Sequence, residues 1–469
     1  MTKVLHVFPL VGGGYLGTEF LKHKGYEIEN IQTCFSLSGA KKNEKPLIDN
    51  RGVDIVYWDE KYDDVECDCI TCKGYHFKDD IPDEEYDIEC KKIEKCIEEH
   101  RDIIDSADII LSIPPCNSLS MLNCQADSRV GKNNPTSQII MRCVEFAVKS
   151  DIEMFCFENA PRLATIGGIP ILHQIEKFLK KYPQYSMNIV KTNSVWHGMA
   201  QRRERTFVYL WKTKSAPILK YDIVLNSLPT LLDDINKDGD GYHSKPKNLF
   251  QKFLRSTSKE IDGLKLTFTN YFEQWKQLQD LFDNDDISTS LMNNIKKVED
   301  IEKWLHEKFD PLTWPNEEMR DKFRKFLVHI HKKVNAGLGY WGWEPLTTNC
   351  PQYKIKATTG IIAKNLGRFI HYKYPRVLTY REECRLMGIP DDFVIPSNSR
   401  HVITQNVPSF TFAAMIEQWF KEKPLSNYKM TWQQINNKKL PIYGGKTIDE
   451  TFKKKNKVSI INHNEITNL

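Results

Sequence analysis

Short apolar runs alternate with amphipathic stretches along the first half of the chain. KVLHVF, GYEIENIQTCF, VDIVYW, ADIILSI and IEMFCFEN are each rich in apolar, β-branched or aromatic residues over about a strand's length. Between them LGTEFLKHKG and SQIIMRCVEFAVKS carry helical spacing. Continuous apolar strands are buried on both faces, and their alternation with helices predicts a parallel sheet with crossover helices. NIVKTNSVW and RTFVYLW then read as a β-pair near the sheet edge.

The pattern changes from about residue 215. Long charged stretches such as NYFEQWKQLQDLFDN and EDIEKWLHEKF replace the strands, and α/β character returns only near residue 356. This predicts a catalytic α/β domain over 1–214 with a Cys-rich insert at about 60–100. A largely helical module over 215–355 follows, then a returning segment over 356–425 that ends in the helix FTFAAMIEQWF. The last stretch, 426–469, is rich in Lys and Asn and reads as a loosely packed tail.

Composition narrows the class. At 469 residues the chain exceeds one compact core, and 40% hydrophobic with 27% charged residues is the profile of an ordinary globular protein. A net charge of +4 identifies no partner by itself. No secretory leader and no membrane-length apolar run is apparent, so an intracellular protein is expected. Its 12 cysteines are then expected to be thiols, metal ligands or a nucleophile rather than disulfides.

One of them stands out. In SIPPCNSLS, two prolines stiffen the corner just before Cys116, directly after a buried strand. Open α/β sheets place their chemistry at such carboxyl ends. Four other stretches bear on this thiol: VFPLVGGGYLG, FENAPRL around Glu158, QRRERTFVY around Arg203 and Arg205, and LTYREECRLMGIPDDF. The glycines of the first follow a strand and open a helix, the context of a cofactor-binding turn. Alone, QRRER would be a solvated edge strand.

Together, in this order and rough spacing, the five motifs resemble those of the DNA cytosine-5 methyltransferases. The resemblance covers roughly the first 210 residues and positions 358–420. It implies a Rossmann-like methyltransferase sheet with helices on both faces and an inserted target-recognition domain. It implies methyl transfer from S-adenosylmethionine to C5 of a flipped-out cytosine in double-stranded DNA, through a covalent adduct of Cys116 with C6. Glu158 would bond the base at N3 and its amine. Arg205 would sit over O2 and orient Glu158, and Arg203 would position the Cys116 loop or backbone. Phe8, Gly12, Gly13, Gly17, Pro115, Asn117, Gln405 and Asn406 are the positions matched to cofactor binding. Of these, Gln405 is expected to supply the amide that the family gives to the cofactor end. Arg385 and Asp392 are expected to hold the returning segment against the catalytic domain.

The chain also departs from the family pattern. His6 replaces an acidic residue and Leu10 a glycine, and the second strand does not end in the carboxylate that holds the cofactor ribose. Asp54 and Asp59 are the candidates to replace it. These changes motivate a second reading with a folate one-carbon donor giving hydroxymethylcytosine. A catalytically inactive DNA-binding relative is a third, and a tRNA substrate also occurs within the family. The implied setting is the cytoplasm or nucleoid, or the host cell for a viral protein. Restriction-modification is one such role, and a monomer is assumed.

A cysteine cluster remains. Cys67, Cys69, Cys72 and Cys90, with Cys96 and His76 near, reach the density of a structural zinc site. Their C-x-C-x-x-C spacing differs from paired CxxC, and reduced thiols in a surface insert are the alternative. In the helical module KFRKFLVHIHKK, GLGYWGWEP, Lys354 and Lys356 are basic and aromatic enough to meet DNA.

Overall fold

The computed structural model describes residues 1–73, 88–116, 135–165, 168–217, 223–235 and 378–421, with short pieces between them and the strand Ser459–Asn462. Two compact units result: Met1–Leu225 with Met387–Leu469, and Asn226–Leu386.

The first unit opens with strand β1 (Thr2–Val7), helix α1 (Gly13–His23), and strands β2 (Ile28–Asn30) and β3 (Thr33–Ser36). Helix α2 (Lys41–Arg51), strand β4 (Asp54–Tyr57) and helices α3 (Trp58–Lys61), α4 (Lys91–Glu99) and α5 (Arg101–Asp105) follow. Then come strand β5 (Ile109–Ser112), helix α6 (Pro135–Lys149), strand β6 (Met154–Asn159) and helix α7 (Ile169–Leu179). Strands β7 (Ser186–Asn193), β8 (Gln201–Arg202) and β9 (Glu204–Trp211) complete the first part, and helix Ser409–Lys421 returns against α1.

The sheet runs β7-β9-β6-β5-β1-β3-β4, with β2 also beside β1. β4, β3, β1, β5 and β6 are parallel, while β9 lies antiparallel between β6 and β7. The expected β-pair is therefore present. Ser459–Asn462, inside the presumed tail, pairs antiparallel with β7. GYEIENIQTCF, read as one strand, is two. β2 follows β1 only along Thr2–Val4 and β3 rejoins it at Val7–Phe35, so the chain steps at Ile31 and Gln32.

Every residue of β5 and β6 is buried, as a central parallel strand requires. Phe35, Trp58 and Phe146 pack together in this core. The chain builds outward from β1 to β4, then returns beside β1 with β5. That reversal is a topological switch point, where the carboxyl ends of two strands diverge and a ligand can enter.

In the second unit, helix Tyr380–Arg385 is held by a capping box between Thr379 and Glu382. Arg385 donates to the Leu231 carbonyl at 3.1 Å and pairs with Asp234. These contacts tie it, inside this unit, to the helix Leu228–Leu232 and the residues just after it. Asp392, within the first unit, pairs with Arg51 at the end of α2 at 3.1 Å, as expected of the returning segment. NYFEQWKQLQDLFDN lies outside the described residues, as do all but scattered positions of EDIEKWLHEKF, KFRKFLVHIHKK and GLGYWGWEP.

Candidate active site

The Cys116 corner is built by the two strands beside it. Ile113 N–H donates to the Phe8 carbonyl (3.1 Å), continuing the β1–β5 pairing one step beyond β5. The Asn159 amide, at the end of β6, donates to the Pro114 carbonyl at 3.2 Å. Neighbouring strand ends thus clamp the proline corner and present a half-buried thiol.

β6 and β9 place the other groups. Glu158 faces Phe207 and Asn159 faces Thr206 across the antiparallel pair, so Arg205 emerges beyond the end of β6. Its Nε stands 2.6 Å from Glu158 Oε1, an ion pair with the oxygen off the N–H direction. Arg203 is buried, and its Nη2 donates to the carbonyls of Thr404 (2.6 Å) and Asn406 (3.1 Å). It therefore fastens the backbone of the returning segment.

These four side chains share one electrostatic site. Burial pushes the Glu158 carboxyl up, opposed by Arg205 and Arg203. Burial and then the Glu158 charge push the Cys116 thiol up, again opposed by both arginines. Arg203 falls to about 9, through burial and the like charge of Arg205. Protonating Glu158 removes the charge that opposes a thiolate, so a Cys116 thiolate and a neutral Glu158 favour each other.

The glycine turn lies across the switch point. Phe8 and Leu10 adopt positive φ (54° and 49°), as does Gly12 (95°). Only Gly12 takes this shape without cost, so Leu10 in place of glycine is strained. Gly13 and Gly17 have another task. A Cβ on Gly13 would meet Asn406 and the Val407 carbonyl at under 3.0 Å, and one on Gly17 would lie 2.9 Å from the Ser409 carbonyl. Both let α1 approach the returning segment closely.

In that segment Gln405 is exposed, and the amide beside the turn is that of buried Asn406. Neither Asn406 Oδ1 nor Nδ2 has a hydrogen-bond partner among the described residues. His6 is buried against Asn30 (3.0 Å) and pushed down to about 4, so it is neutral where the family has an acid. Asp54 opens β4 and so lies at the opposite end of the sheet from the site. Asp59 has both oxygens engaged by Ser38 N–H (2.8 Å) and Oγ (2.6 Å).

A carboxylate that the sequence reading missed lies beside the turn. Glu44, in the first turn of α2, is fully buried, and Ser36 Oγ donates to its Oε1 at 2.5 Å. Its Oε2 has no hydrogen-bond partner among the described residues. Burial raises this carboxyl to about 7, with Tyr57 and the Leu10 amide near enough to moderate the rise. Asn117 lies outside the described residues.

One end of a largely parallel sheet thus carries a thiol, a carboxylate and two arginines within one electrostatic site. The chain belongs to the C-5 cytosine-specific DNA methylases, whose family model matches residues 56–413. A search of curated proteins gives no match. Among solved structures, a putative DNA modification methyltransferase from an E. coli prophage is 14% identical, covering 90% of this chain and 99% of its own, with a TM-score of 0.45. The methyltransferase EhMeth of Entamoeba histolytica is 11% identical, with 90% and 98% covered and a TM-score of 0.46. A DNMT2 mutant from Spodoptera frugiperda is also 11% identical, with 90% and 100% covered and a TM-score of 0.44. No helix among the described residues is long and apolar enough to cross a membrane.

Proposed function

We propose that this protein methylates C5 of a flipped-out cytosine in double-stranded DNA, with S-adenosylmethionine as donor. The observation that carries the reading is the shared placement of Cys116, Glu158, Arg203 and Arg205 at the carboxyl ends of β5 and β6. A base stacked in a duplex is out of reach of Cys116, so the target must leave the helix.

Cys116, as thiolate, adds to C6 of the base. Glu158 holds a proton at N3 and so neutralises the charge that the addition develops there. The electron pair displaced by the sulfur makes C5 nucleophilic. Arg205 holds Glu158 in place, and Arg203 fixes the backbone at Thr404 and Asn406. After methyl transfer, loss of the C5 proton expels the Cys116 thiolate and restores the ring.

The residues at the switch point fit the donor. The unpartnered Asn406 amide and Glu44 Oε2 flank the Gly12 turn, and a ligand with ammonium, carboxylate and hydroxyl groups would satisfy both. Asn406, Glu44 and the turn amides would hold S-adenosylmethionine, which supplies a methyl group on a sulfonium. Glu44 would replace the missing strand-end carboxylate.

The test is nucleoside mass analysis of DNA incubated with the protein and S-adenosylmethionine, with Cys116→Ser as control. 5-Methylcytosine that disappears in the variant is expected. DNA binding without any modified cytosine would overturn S-adenosylmethionine as donor and bring folate donors forward.

A further inference from the structure

The methyl-transfer reading does not use the cysteines of the insert, and the fold has gathered four of them. The sulfurs of Cys67, Cys69, Cys72 and Cys90 all lie within 4.8 Å of one another, although Cys90 is 18 residues from Cys72 in sequence. Cys67 to Cys90 and Cys72 to Cys90 are each 3.8 Å, and none of the four is in a disulfide. Four thiolates held at about 2.3 Å around a tetrahedral zinc ion stand about 3.8 Å apart along each edge. Disulfide sulfurs would be about 2.05 Å apart. The spacing is therefore that of a metal cage and not of a bridge about to form.

The surroundings suit negative sulfur. Lys91 N–H points at Cys67 Sγ (3.4 Å), and the Cys72 and Lys73 amides fold back on the Cys69 carbonyl (3.0 and 2.9 Å). Beneath the cluster, buried Arg142 donates to Thr71 Oγ1 at 3.4 Å. Arg142 and Glu145 pair on α6, and the Cys90 N–H reaches Glu145 Oε1 at 3.3 Å. Cys96, also in the insert, is buried outside the cluster, beside Tyr62.

We propose that Cys67, Cys69, Cys72 and Cys90 bind one zinc ion as a structural tetrathiolate site that staples the insert to α6. With four protein ligands no coordination position is left for water or substrate, so the ion has no catalytic part. Its function is positional: α6 is the helix that follows the Cys116 segment.

The measurement is metal analysis of the purified full-length protein by inductively coupled plasma mass spectrometry, with cobalt(II) exchanged into a second sample. One zinc per chain is expected, together with the intense visible bands of tetrahedral cobalt thiolate. Cys72→Ser is expected to lower the stoichiometry well below one, and Cys96→Ala to leave it at one. Alkylation of Cys67 and Cys72 by iodoacetamide is expected to begin only after chelation. If Cys72→Ser does not fold, the wild-type measurements decide alone. Folded protein without zinc and with all four thiols reactive would overturn the proposal, as would iron in place of zinc or a cobalt spectrum lacking thiolate bands.

Discussion

Replacing Glu44 by glutamine tests whether a buried carboxyl underlies the glycine turn. Burial raises Glu44 from 4.5 to about 7, so the native state holds this proton more tightly than the unfolded chain. For a raised pKa, the stability from the neutral buried form is fully present below pH 4.5 and lost as pH rises through about 7. At about 1.4 kcal/mol per unit, the whole loss is about 3 kcal/mol. The slope is masked in the wild type, because His6 and His197 act oppositely. Their values fall from 6.5 to about 4 and about 3, so they remove stability as pH drops below the ordinary histidine range. The informative quantity is therefore the difference between wild type and Glu44→Gln, since the histidines cancel. Urea unfolding followed by tryptophan fluorescence, from about pH 4.5 to 8, is expected to show the variant gaining about 3 kcal/mol relative to wild type across that window. Parallel curves would refute a neutral buried carboxyl at this position.

Three further outcomes follow from the site. Glu158→Gln is expected to abolish 5-methylcytosine while making Cys116 easier to ionise, because the leading charge against its thiolate is gone. With neighbouring charges worth about 1–3 units, iodoacetamide should label Cys116 about tenfold faster or more at neutral pH, and an unchanged rate would break the coupling argued here. Asn406→Ala is expected to weaken S-adenosylmethionine binding about tenfold or more by calorimetry, at about 1.5–3 kcal/mol for a hydrogen bond to a charged group. Exposed Gln405→Ala should leave it unchanged, and equal losses would return the cofactor amide to Gln405. Gly17→Ala pushes a Cβ to 2.9 Å from the Ser409 carbonyl and 3.1 Å from the Ala413 nitrogen. Backbone yields poorly, so a loss of about 1–3 kcal/mol in chemical denaturation is expected, and a neutral substitution would show that α1 and the returning helix are loosely packed.

What could be read from the sequence, and what could not, follows from how each element is buried. β5 and β6 are enclosed on both faces, so they appear as unbroken apolar runs, and Cys116 just past the end of β5 and Glu158 near the end of β6 could be placed at once. The resemblance alone put Arg205 beside Glu158, and the antiparallel register of β6 and β9 gives the physical reason, which periodicity could not supply. The step between β2 and β3 left no trace, because a strand that changes its partner position at Ile31 and Gln32 keeps its alternation. Helix α2 was invisible for a different reason. Its buried residues are Glu44, Pro46 and Leu47, so it has almost no apolar stripe to detect. That concealment bears on function. A helix whose buried face is a carboxylate, a proline and a leucine gains little from hydrophobic burial, and Leu47 instead crowds the Gly12 turn. In the function proposed above, Glu44, one helix later, takes the place of the carboxylate missing from the end of β3. A motif read position by position registers a loss at the strand end and passes over a buried carboxylate at a helix start.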